Sequence, residues 1–400
     1  MGEKIRVVHP ITRLIIGGAQ ENTMLTAELM NKGVVGNGRY DVSVISGPQT
    51  GPEGSLIEEV EKRGTRLTLM EQMRREISPV NDLAALWLLW RQFRREKPHI
   101  VHTHSSKAGV LGRLAAAYAG VPVIVHTVHG WSFHDRMGGR KLRLYVGLEK
   151  LAERYSQVSI VVSPKDIDKG LAQGIGQRDD YVVIRSGVEM DRFGHPQVAP
   201  AAMRAGLGIP AEALVVGSVT RLSPQKAPLD LVAAYAAIAR QRPETWFVIV
   251  GDGPLRAEVE AAVAAVGLTE RVVLTGLRRD VPELMAMFDL FVLSSLWEGL
   301  PRVLPQAMAT GLPIVCTQAD GSAEAVAEGE NGYLVTRGEP LALAEKVLLL
   351  LGDEGLRGRM GAEGQKRAHE FSALKMVQDI DQLYKRLLRA KGLANLLDEA

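Results

Sequence analysis

The 400-residue sequence lacks the features of several protein classes. Its single cysteine, Cys316, excludes a disulfide framework within the chain, cannot alone build a cysteine zinc site, and suits a reducing compartment. No apolar run approaches the ~20 residues of a membrane-spanning helix, and we expect no signal peptide. Neither positive nor negative charge dominates, because the chain has 48 basic and 46 acidic residues. This balance argues against a protein that coats nucleic acid.

What is present indicates a soluble, two-domain protein. Hydrophobic residues make up 46% of the chain and charged residues 24%, which is an ordinary balance for a folded protein. The length exceeds one compact core, so two domains are expected. Residues 1–200 carry 27 basic and 21 acidic side chains, whereas residues 201–400 carry 21 and 25. The first half therefore favours an anionic partner more than the second.

Short β-branched runs alternate with stretches of helical periodicity through the chain. In the first half the predicted strands are 5–9, 41–45, 66–69, 99–102, 121–126, 158–162 and 181–184. In the second half they are 214–219, 246–250, 272–274, 290–293, 313–316 and 332–335. Strand–helix–strand repetition predicts parallel sheets with helices on both faces, and hence two doubly wound α/β domains.

Breaks in this alternation predict the domain boundaries. The first domain is predicted at 1–190 and the second at 211–375, with a Gly- and Pro-rich linker at 191–210. Residues 376–400 have only helical periodicity and are expected to return to the first domain. Since ligands bind outside the carboxyl ends of parallel strands, the function is expected in a cleft between the domains.

The most informative stretch is 297–313, with the sequence WEGLPRVLPQAMATGLP. It indicates a strand end, a tight turn and a short helix. Gly299 allows a close approach of backbone to ligand, Pro301 suits the first helical position, and Gly311 suits a helix stop. The N–H groups around 300–303 would form an anion site beside the Glu298 carboxylate. An ordinary strand-to-helix corner with a solvated acid is the alternative.

Two further loops follow predicted strands of the second domain. Arg221 and Lys226 lie five residues apart after the first of these strands, and their planar fork and point charge suit a diphosphate. A solvated basic loop is the alternative. The glycine-rich turn 251–254 follows the next strand and is a weak signal by itself.

Taken together, these motifs resemble glycosyltransferase family 4, whose members are retaining enzymes of the GT-B architecture. The resemblance covers nearly the whole chain. In the first domain it continues through the segments IGGAQ, HSSKAG and HTVHG at 16–20, 104–109 and 126–130. It implies two Rossmann-like domains that face each other across a cleft, with the C-terminal helices packed on the first domain.

The resemblance also implies residue roles, a nucleotide-sugar donor, no cofactor and no essential metal. Arg221 and Lys226 would hold the donor diphosphate in place of a metal, Glu298 would contact the transferred sugar, and His129 would lie near the reacting sugar. The implied donor-binding residues are Gly17, Gly18, Gly251, Gly253, Gly299, Leu300, Pro301, Arg302, Val303 and Gln306. The implied acceptor-side residues are His104 and Lys107.

One residue departs from the family pattern of two glutamates separated by seven residues. The second position is Gln306, where the usual carboxylate is expected to accept hydrogen bonds from both ribose hydroxyls. An amide keeps one acceptor oxygen and loses the charge. The hypothesis is an active enzyme with altered ribose contacts.

The expected activity is transfer of a sugar, with retention, from a UDP-sugar, or next a GDP-sugar, to a hydroxyl of a glycan or lipid-linked glycan. The expected setting is envelope or extracellular polysaccharide assembly in the cytoplasm, including the inner membrane face, with no nucleic-acid partner. The alternatives are a nucleotide-sugar epimerase of the same architecture and a non-catalytic sugar-nucleotide-binding relic. A nicotinamide dehydrogenase is disfavoured, because no Gly-x-Gly-x-x-Gly follows the first strand.

Possible metal sites are set aside on the sequence. Two Asp-x-Asp triplets, at 166–168 and 379–381, lie at a helix start and within an amphipathic helix. The histidines and acid considered as zinc ligands are His102, His104, His126, His129, His134 and Asp135. The chain has no HExxH helix to organise them.

A membrane contact is the remaining hypothesis. Residues 87–97 combine Trp, Leu and Phe with a basic face, and 136–143 form a second basic run. Such segments bind anionic membrane surfaces, although an amphipathic helix with solvated charges is the commoner explanation.

Overall fold

The computed structural model describes residues 3–49, 54–133 and 137–398, which fold as two compact units. The first unit contains residues 1–187 and 373–400, and the second contains 188–372. Within the described ranges, no helix combines the length and apolarity needed to cross a membrane.

The first unit contains a seven-stranded parallel sheet in the order β3-β2-β1-β4-β5-β6-β7. Its strands are β1 (Ile5–Arg13), β2 (Tyr40–Gly47), β3 (Arg66–Leu69), β4 (Ile100–His104), β5 (Val123–Val128), β6 (Val158–Val161) and β7 (Tyr181–Val183). Its connecting helices are α1 (Gly18–Asn31), α2 (Ile57–Lys62), α3 (Pro79–Glu96), α4 (Ser106–Ala119), α5 (Gly139–Glu153) and α6 (Pro164–Ala172).

Alternating side chains of this sheet are buried on both faces, as a doubly wound sheet requires. Val7 packs in a cluster that includes Met24 and Leu25 of α1. The next residue, Val8, packs in a separate cluster with Ala85 and Leu89 of α3. The strand order reverses between β1 and β4, and this is the position where doubly wound sheets bind ligands.

The second unit contains a six-stranded parallel sheet in the order β10-β9-β8-β11-β12-β13. Its helices and strands follow in chain order: α7 (Met190–Gly194), α8 (Pro200–Gly206), β8 (Val215–Val219), α9 (Pro228–Gln241), β9 (Trp246–Val250), α10 (Arg256–Ala265), β10 (Val272–Gly276), α11 (Val281–Ala286), β11 (Leu290–Leu293), α12 (Val303–Thr310), β12 (Ile314–Thr317), α13 (Ser322–Ala325), β13 (Gly332–Val335), α14 (Pro340–Leu351) and α15 (Glu354–Ala368). The reversal of strand order lies here between β8 and β11.

The segment 191–210, predicted as a linker, is not extended. It belongs to the second unit and carries most of α7 and all of α8. Pro200 is the first residue of α8, where its missing N–H costs nothing. The proline and glycine residues of this segment lie at the ends of two short helices and do not mark a flexible connection.

The C-terminal helices α16 (Ala373–Ala390) and α17 (Asn395–Asp398) belong to the first unit, as the sequence predicts. Met376, Ile380 and Leu383 of α16 are buried in the same cluster as the β1 side chains. The Tyr40 hydroxyl donates to Asp381 at 2.7 Å, so the helix is also fixed to β2 by a buried polar contact.

All thirteen predicted strands are present, and several of them, β1 and β4 included, run further than predicted. β1 continues to Arg13 and β4 continues to His104. Their last residues are polar but buried, so the hydrophobic pattern ends before the strand does. His104 is the last residue of its strand, as the sequence predicts.

Candidate active site

In the second unit, the predicted donor residues lie at the carboxyl ends of neighbouring strands. Arg221 and Lys226 follow β8, Gly251 and Gly253 follow β9, and Glu298 follows β11. Because β9, β8 and β11 are adjacent in the sheet, their loops share one edge. The fold therefore gathers motifs that are far apart in sequence.

Lys226 and Glu298 form an ion pair, in which Lys226 Nζ donates to Glu298 Oε1. The Glu298 side chain is 8% exposed and that of Lys226 is 20% exposed, so both charges are largely withdrawn from water. An ammonium group has three donors. Lys226 can therefore hold Glu298 and still donate to another anion.

Backbone contacts hold the two loops of this pair together. The Leu296 N–H donates to the Gln225 carbonyl at 2.8 Å, and Gln225 Nε2 donates to the Trp297 carbonyl at 2.8 Å. The Ser294 hydroxyl lies 2.9 Å from the Lys226 carbonyl oxygen. The position of the Lys226 backbone is thus fixed by residues at the end of β11.

The two glycines after β9 allow the backbone to pack closely against the Arg221 loop. A Cβ atom on Gly251, which has φ +132°, would lie 2.0 Å from the Thr220 carbonyl oxygen. On Gly253 it would lie 2.3 Å from the Leu222 carbonyl oxygen. Two backbone segments therefore pack directly against each other on both sides of Arg221, whose side chain is exposed. In this structure the two glycines support the loop that carries the predicted diphosphate ligand.

The turn after Glu298 is supported by the next strand's loop. Asp320, with φ +36°, accepts a hydrogen bond from the Glu298 N–H at 3.2 Å. A Cβ atom on Gly321 would lie 1.7 Å from the Gly299 carbonyl oxygen. Gly299 and Leu300 therefore lie directly on the 320–321 turn, which fixes the direction of Glu298.

Helix α12 begins at Val303, with Arg302 in the N-cap position. Pro301 therefore precedes the helix and does not occupy its first position, which corrects the prediction. The helix ends as predicted at Gly311, which has φ +83°. The Arg302 side chain does not cap the helix through a hydrogen bond. Because the first N–H groups of a helix lack intrahelical partners, this end of α12 favours an anion.

Gln306 lies in the first half of α12 and is half-buried. Its backbone N–H donates to the Arg302 carbonyl at 3.1 Å. Its side-chain amide makes no hydrogen bond with any part of the chain that the structure describes. The amide is thus available to a ligand beside the Glu298 turn.

In the first unit, the predicted glycine loop opens α1. Gly17 is the N-cap residue and Gly18 the first helical residue, and no side chain caps this helix. The Gly17 backbone is extended, with φ 179°, so its conformation does not demand glycine. The helix N-terminus lies at the carboxyl end of β1, beside the reversal of strand order.

A cluster of histidines lies at the carboxyl ends of β4 and β5. His104 ends β4 and is 3% exposed, and its Nδ1 lies 3.1 Å from Nε2 of the half-buried His129. The other ring nitrogen of His104 lies 2.8 Å from Nδ1 of His9 on β1. The structure thus places His104 behind His129 with both nitrogens engaged. His9 was missed because it lies within a buried, mostly apolar strand.

Lys107, the other predicted acceptor-side residue, lies in the first turn of α4. Its Nζ donates to Asp82 at 2.6 Å and to the Glu76 carbonyl. Its side chain is 13% exposed. Lys107 therefore fixes the start of α3 as well as lying near the carboxyl end of β4.

His9, His102 and His104 each place a ring nitrogen within 4.8 Å of the others. Three imidazoles at this spacing could hold a metal ion. His102, however, lies 2.6 Å from the Tyr384 hydroxyl and 2.6 Å from the Thr127 hydroxyl through its two nitrogens. A cation would have to displace these bonds in a fully buried site. The geometry therefore favours a hydrogen-bonded cluster.

The acidic triplets are also engaged by protein groups. Asp166, 2% exposed, accepts from the Ser163 hydroxyl at 3.1 Å in the first turn of α6. Asp381 accepts from Tyr40 and from Lys385 at 2.6 Å, and Asp379 pairs with Lys375. His134 and Asp135 lie outside the described residues.

Comparisons with known proteins match both halves of the chain. The family model described as "Glycosyl transferase 4-like domain" matches residues 17–187, and "Glycosyl transferases group 1" matches residues 201–367. The chain is 30% identical over 389 residues to the UDP-Gal:alpha-D-GlcNAc-diphosphoundecaprenol alpha-1,3-galactosyltransferase of Escherichia coli, covering 95% of this chain and 97% of the relative. The chain belongs to glycosyltransferase family 4.

Solved structures confirm that this family-4 glycosyltransferase has the GT-B fold. Anabaena HepE in complex with UDP-glucose superposes with a TM-score of 0.82 at 24% identity, covering 95% of this chain and 99% of HepE. Sucrose-phosphate synthase from Thermosynechococcus elongatus superposes with a TM-score of 0.80 at 21% identity, covering 97% and 100%. The predicted fold class is confirmed, and the chain is a glycosyltransferase.

Proposed function

We infer that this glycosyltransferase moves a sugar, with retention and without an essential metal, from a UDP-sugar to a hydroxyl of a lipid-linked glycan in polysaccharide assembly. The partly buried Lys226–Glu298 pair beside the N-terminus of α12 carries the proposal, because it sets a cation and a carboxylate suited to sugar hydroxyls at one point. The name of the E. coli relative, with its UDP-Gal donor and diphosphoundecaprenol acceptor, supports the choice of substrates. A GDP-sugar is the second candidate.

These residues suit a transfer in which the leaving diphosphate itself accepts the proton of the acceptor hydroxyl. The acceptor oxygen bonds to the anomeric carbon on the face that the diphosphate leaves, and the carbon–oxygen bond to phosphate breaks. The acceptor proton passes to a departing phosphate oxygen. Lys226, Arg221 and the α12 N-terminus stabilise the negative charge that develops on the diphosphate. Glu298 orients the sugar through its hydroxyls, and no protein nucleophile is needed.

A donor panel tests this proposal. The full chain is incubated with UDP-, GDP-, ADP- and dTDP-sugars in EDTA, with and without a membrane lipid extract, and released nucleoside diphosphate is measured. Lipid-stimulated release from one donor in EDTA is expected. Conversion without acceptor would favour the epimerase, binding without turnover the relic, and turnover that requires a divalent cation would contradict the metal-independent scheme.

Gln306 tests the placement of the nucleotide ribose. Gln306→Ala is expected to weaken donor binding about 5- to 10-fold, the cost of roughly one hydrogen bond. Gln306→Glu is expected to tighten it, because a carboxylate accepts from two hydroxyls at once. Calorimetric Kd values check both, with the exposed Gln241→Ala at the end of α9 as control. An unchanged Kd in Gln306→Ala would show that the ribose lies elsewhere.

A membrane-facing surface is also proposed, on α3. Val80, Leu83 and Trp87 lie on one side of this helix and are 80%, 67% and 53% exposed. The exposed Arg94 and Arg95 follow in its last turn. Exposed apolar residues next to cations fit an anionic lipid surface, where a diphospholipid-linked acceptor would be found.

Liposome flotation tests this surface. Leu83→Gln with Trp87→Gln is expected to reduce binding to anionic vesicles at least ~10-fold, because two large apolar side chains no longer leave water. Leu341→Gln with Leu349→Gln on α14, 68% and 48% exposed, is the matched control. No preference of the unmodified protein for anionic over neutral lipid would remove the proposal.

A further inference from the structure

Helix α5 carries a stripe of leucines on its outward side. Leu144, Leu148 and Leu151 are 49%, 38% and 40% exposed. Because successive residues of an α-helix are rotated by about 100°, these three side chains lie within about 60° of one another. The same helix buries Val146 and Ala152 against the first unit. It therefore has one apolar side inside the fold and a second apolar stripe outside it.

Both acidic residues of α5 lie on its buried side. Glu149 and Glu153 are 4% and 8% exposed, and both pair with the guanidinium group of the fully buried Arg113 on α4. Burial raises the pKa of Glu153. The negative charge of the helix is thus withdrawn from its surface. The exposed charged residues of α5 and its C-cap are all basic, and none pairs with a carboxylate among the described residues: Arg140, Lys141, Arg143, Lys150 and Arg154.

The order of charges along α5 is the reverse of the order that stabilises a helix. Acidic side chains favour the first turn and basic side chains the last, because of the helix dipole. The first turn of α5 contains no acidic residue, and Arg140, Lys141 and Arg143 lie close to its start. Glu149 and Glu153 lie close to its end. Helix stability does not account for these cations, which instead suit an anionic partner outside the helix.

A leucine stripe bordered by cations fits the surface of an anionic bilayer. By helical rotation, Arg140 and Lys141 border the stripe on its two sides. Such a helix lies in the plane of the interface, with its apolar side chains among the acyl chains and its cations at the lipid phosphates. A second copy of this chain would bring like charges together, which is unfavourable. A nucleic acid would leave the leucines in water.

The position of α5 joins this surface to the candidate active site. The helix follows β5, so its first turn lies at the edge of the sheet where His104 and His129 lie. We propose that α5 inserts Leu144, Leu148 and Leu151 into an anionic bilayer and holds this edge of the first unit at the membrane. The contact is separate from the surface on α3, because α4 packs against both helices. Its use for a lipid-linked acceptor rests on the proposed function, whereas the attachment itself does not.

Vesicle binding of the full chain, without donor or acceptor, tests the proposal. The probe is a vesicle of phosphatidylglycerol and phosphatidylcholine in equal parts. Arg140→Gln, Lys141→Gln and Arg143→Gln together should weaken binding about 100-fold, because each cation near an anionic surface contributes about 5-fold. Equal binding of this variant and its control would overturn the proposal. The control removes three exposed cations from the second unit: Arg240→Gln, Arg359→Gln and Lys366→Gln.

A label on α5 distinguishes its insertion from binding through α3. The single cysteine, Cys316, is fully buried, so Leu148→Cys can be labelled selectively with a polarity-sensitive dye. The anionic vesicles should shift the emission of this dye to shorter wavelength. The control label at Leu349→Cys on α14, where the leucine is 48% exposed, should show no shift. No shift at Leu148→Cys on vesicles that carry the protein would overturn the proposal.

The leucine stripe is tested separately for self-association. Leu144→Gln with Leu148→Gln should weaken vesicle binding about 10-fold, because two large apolar side chains no longer leave water. Sedimentation equilibrium should show the same mass for this variant and the unmodified chain. A dimer that dissociates in the variant, with vesicle binding unchanged, would overturn the proposal. Absence of sugar transfer by a chain that binds vesicles through α5 would contradict only the proposed function.

Discussion

Lowering the pH from 7 to 5 is expected to unfold the first unit well before the second. The first unit buries His9, His102, His104 and His126, each at most 3% exposed. Burial lowers the pKa of His9 to about 3 and the pKa values of the other three well below 6.5. These four imidazole rings remain neutral in the folded protein, because the protein interior disfavours the charged form of the ring.

The sign follows from proton binding. The unfolded chain binds a proton at each of these histidines near pH 6.5, and the folded chain does not until much lower pH. Stability is therefore complete above about pH 6.5 and is lost below it, by about 1.4 kcal/mol per pH unit for each histidine. Four such groups together cost about 5–6 kcal/mol per pH unit, which is comparable with the whole stability of a domain.

The charged neighbours do not reverse this slope. Arg113 faces His126 and lowers its pKa further. Glu153, paired with Arg113, acts in the opposite direction because burial raises its pKa, but it is one group against four. The described histidines of the second unit, His195 and His369, are exposed.

Hydrogen exchange corrected for intrinsic rates, followed at pH 7, 6 and 5, checks the order of unfolding. His102→Gln, which keeps an amide for its hydroxyl partners, should reduce the pH slope by about a quarter relative to the control variant, His195→Asn at an exposed position. Loss of protection first in residues 188–372, or equal slopes in both variants, would contradict this explanation.

Replacing Lys226 by methionine is expected to lower kcat by about 10²–10³-fold, the usual effect of removing one group that stabilises developing charge. The same change leaves the Glu298 carboxylate, 8% exposed, without its cation. The second unit should therefore lose about 1–3 kcal/mol of stability as well. A single variant cannot separate these effects.

A paired design separates catalysis from stability. In Lys226→Met with Glu298→Gln both charges are removed, so the melting temperature should recover while kcat stays low. Lys366→Met, on a 74% exposed lysine of α15, is the matched control. Near-normal kcat at saturating donor in the double variant would show that the pair serves the fold and not the reaction.

Much of the fold could be predicted from the sequence, because strand–helix alternation and turn residues are local signals. All thirteen strands were predicted, and Gly311 ends α12 as expected. The end of β4 was predicted too early, because His104 is polar yet buried, and burial of polar groups depends on partners from distant strands. Pro301 was placed in the helix, although the turn held by Asp320 delays its start to Val303.

The family, the two parallel α/β sheets and the loops predicted to bind the donor could all be inferred from the amino-acid order alone. These follow from hydrophobic period, glycine placement and motif order, all of which can be read along the chain. The folded chain was needed to reveal the ion pair of Lys226 with Glu298, the packing of Gly251 and Gly253 against the Arg221 loop, and the contacts among the histidines at the ends of β4 and β5. Such contacts join residues tens of positions apart, and their distances depend on how neighbouring strands align in the sheet.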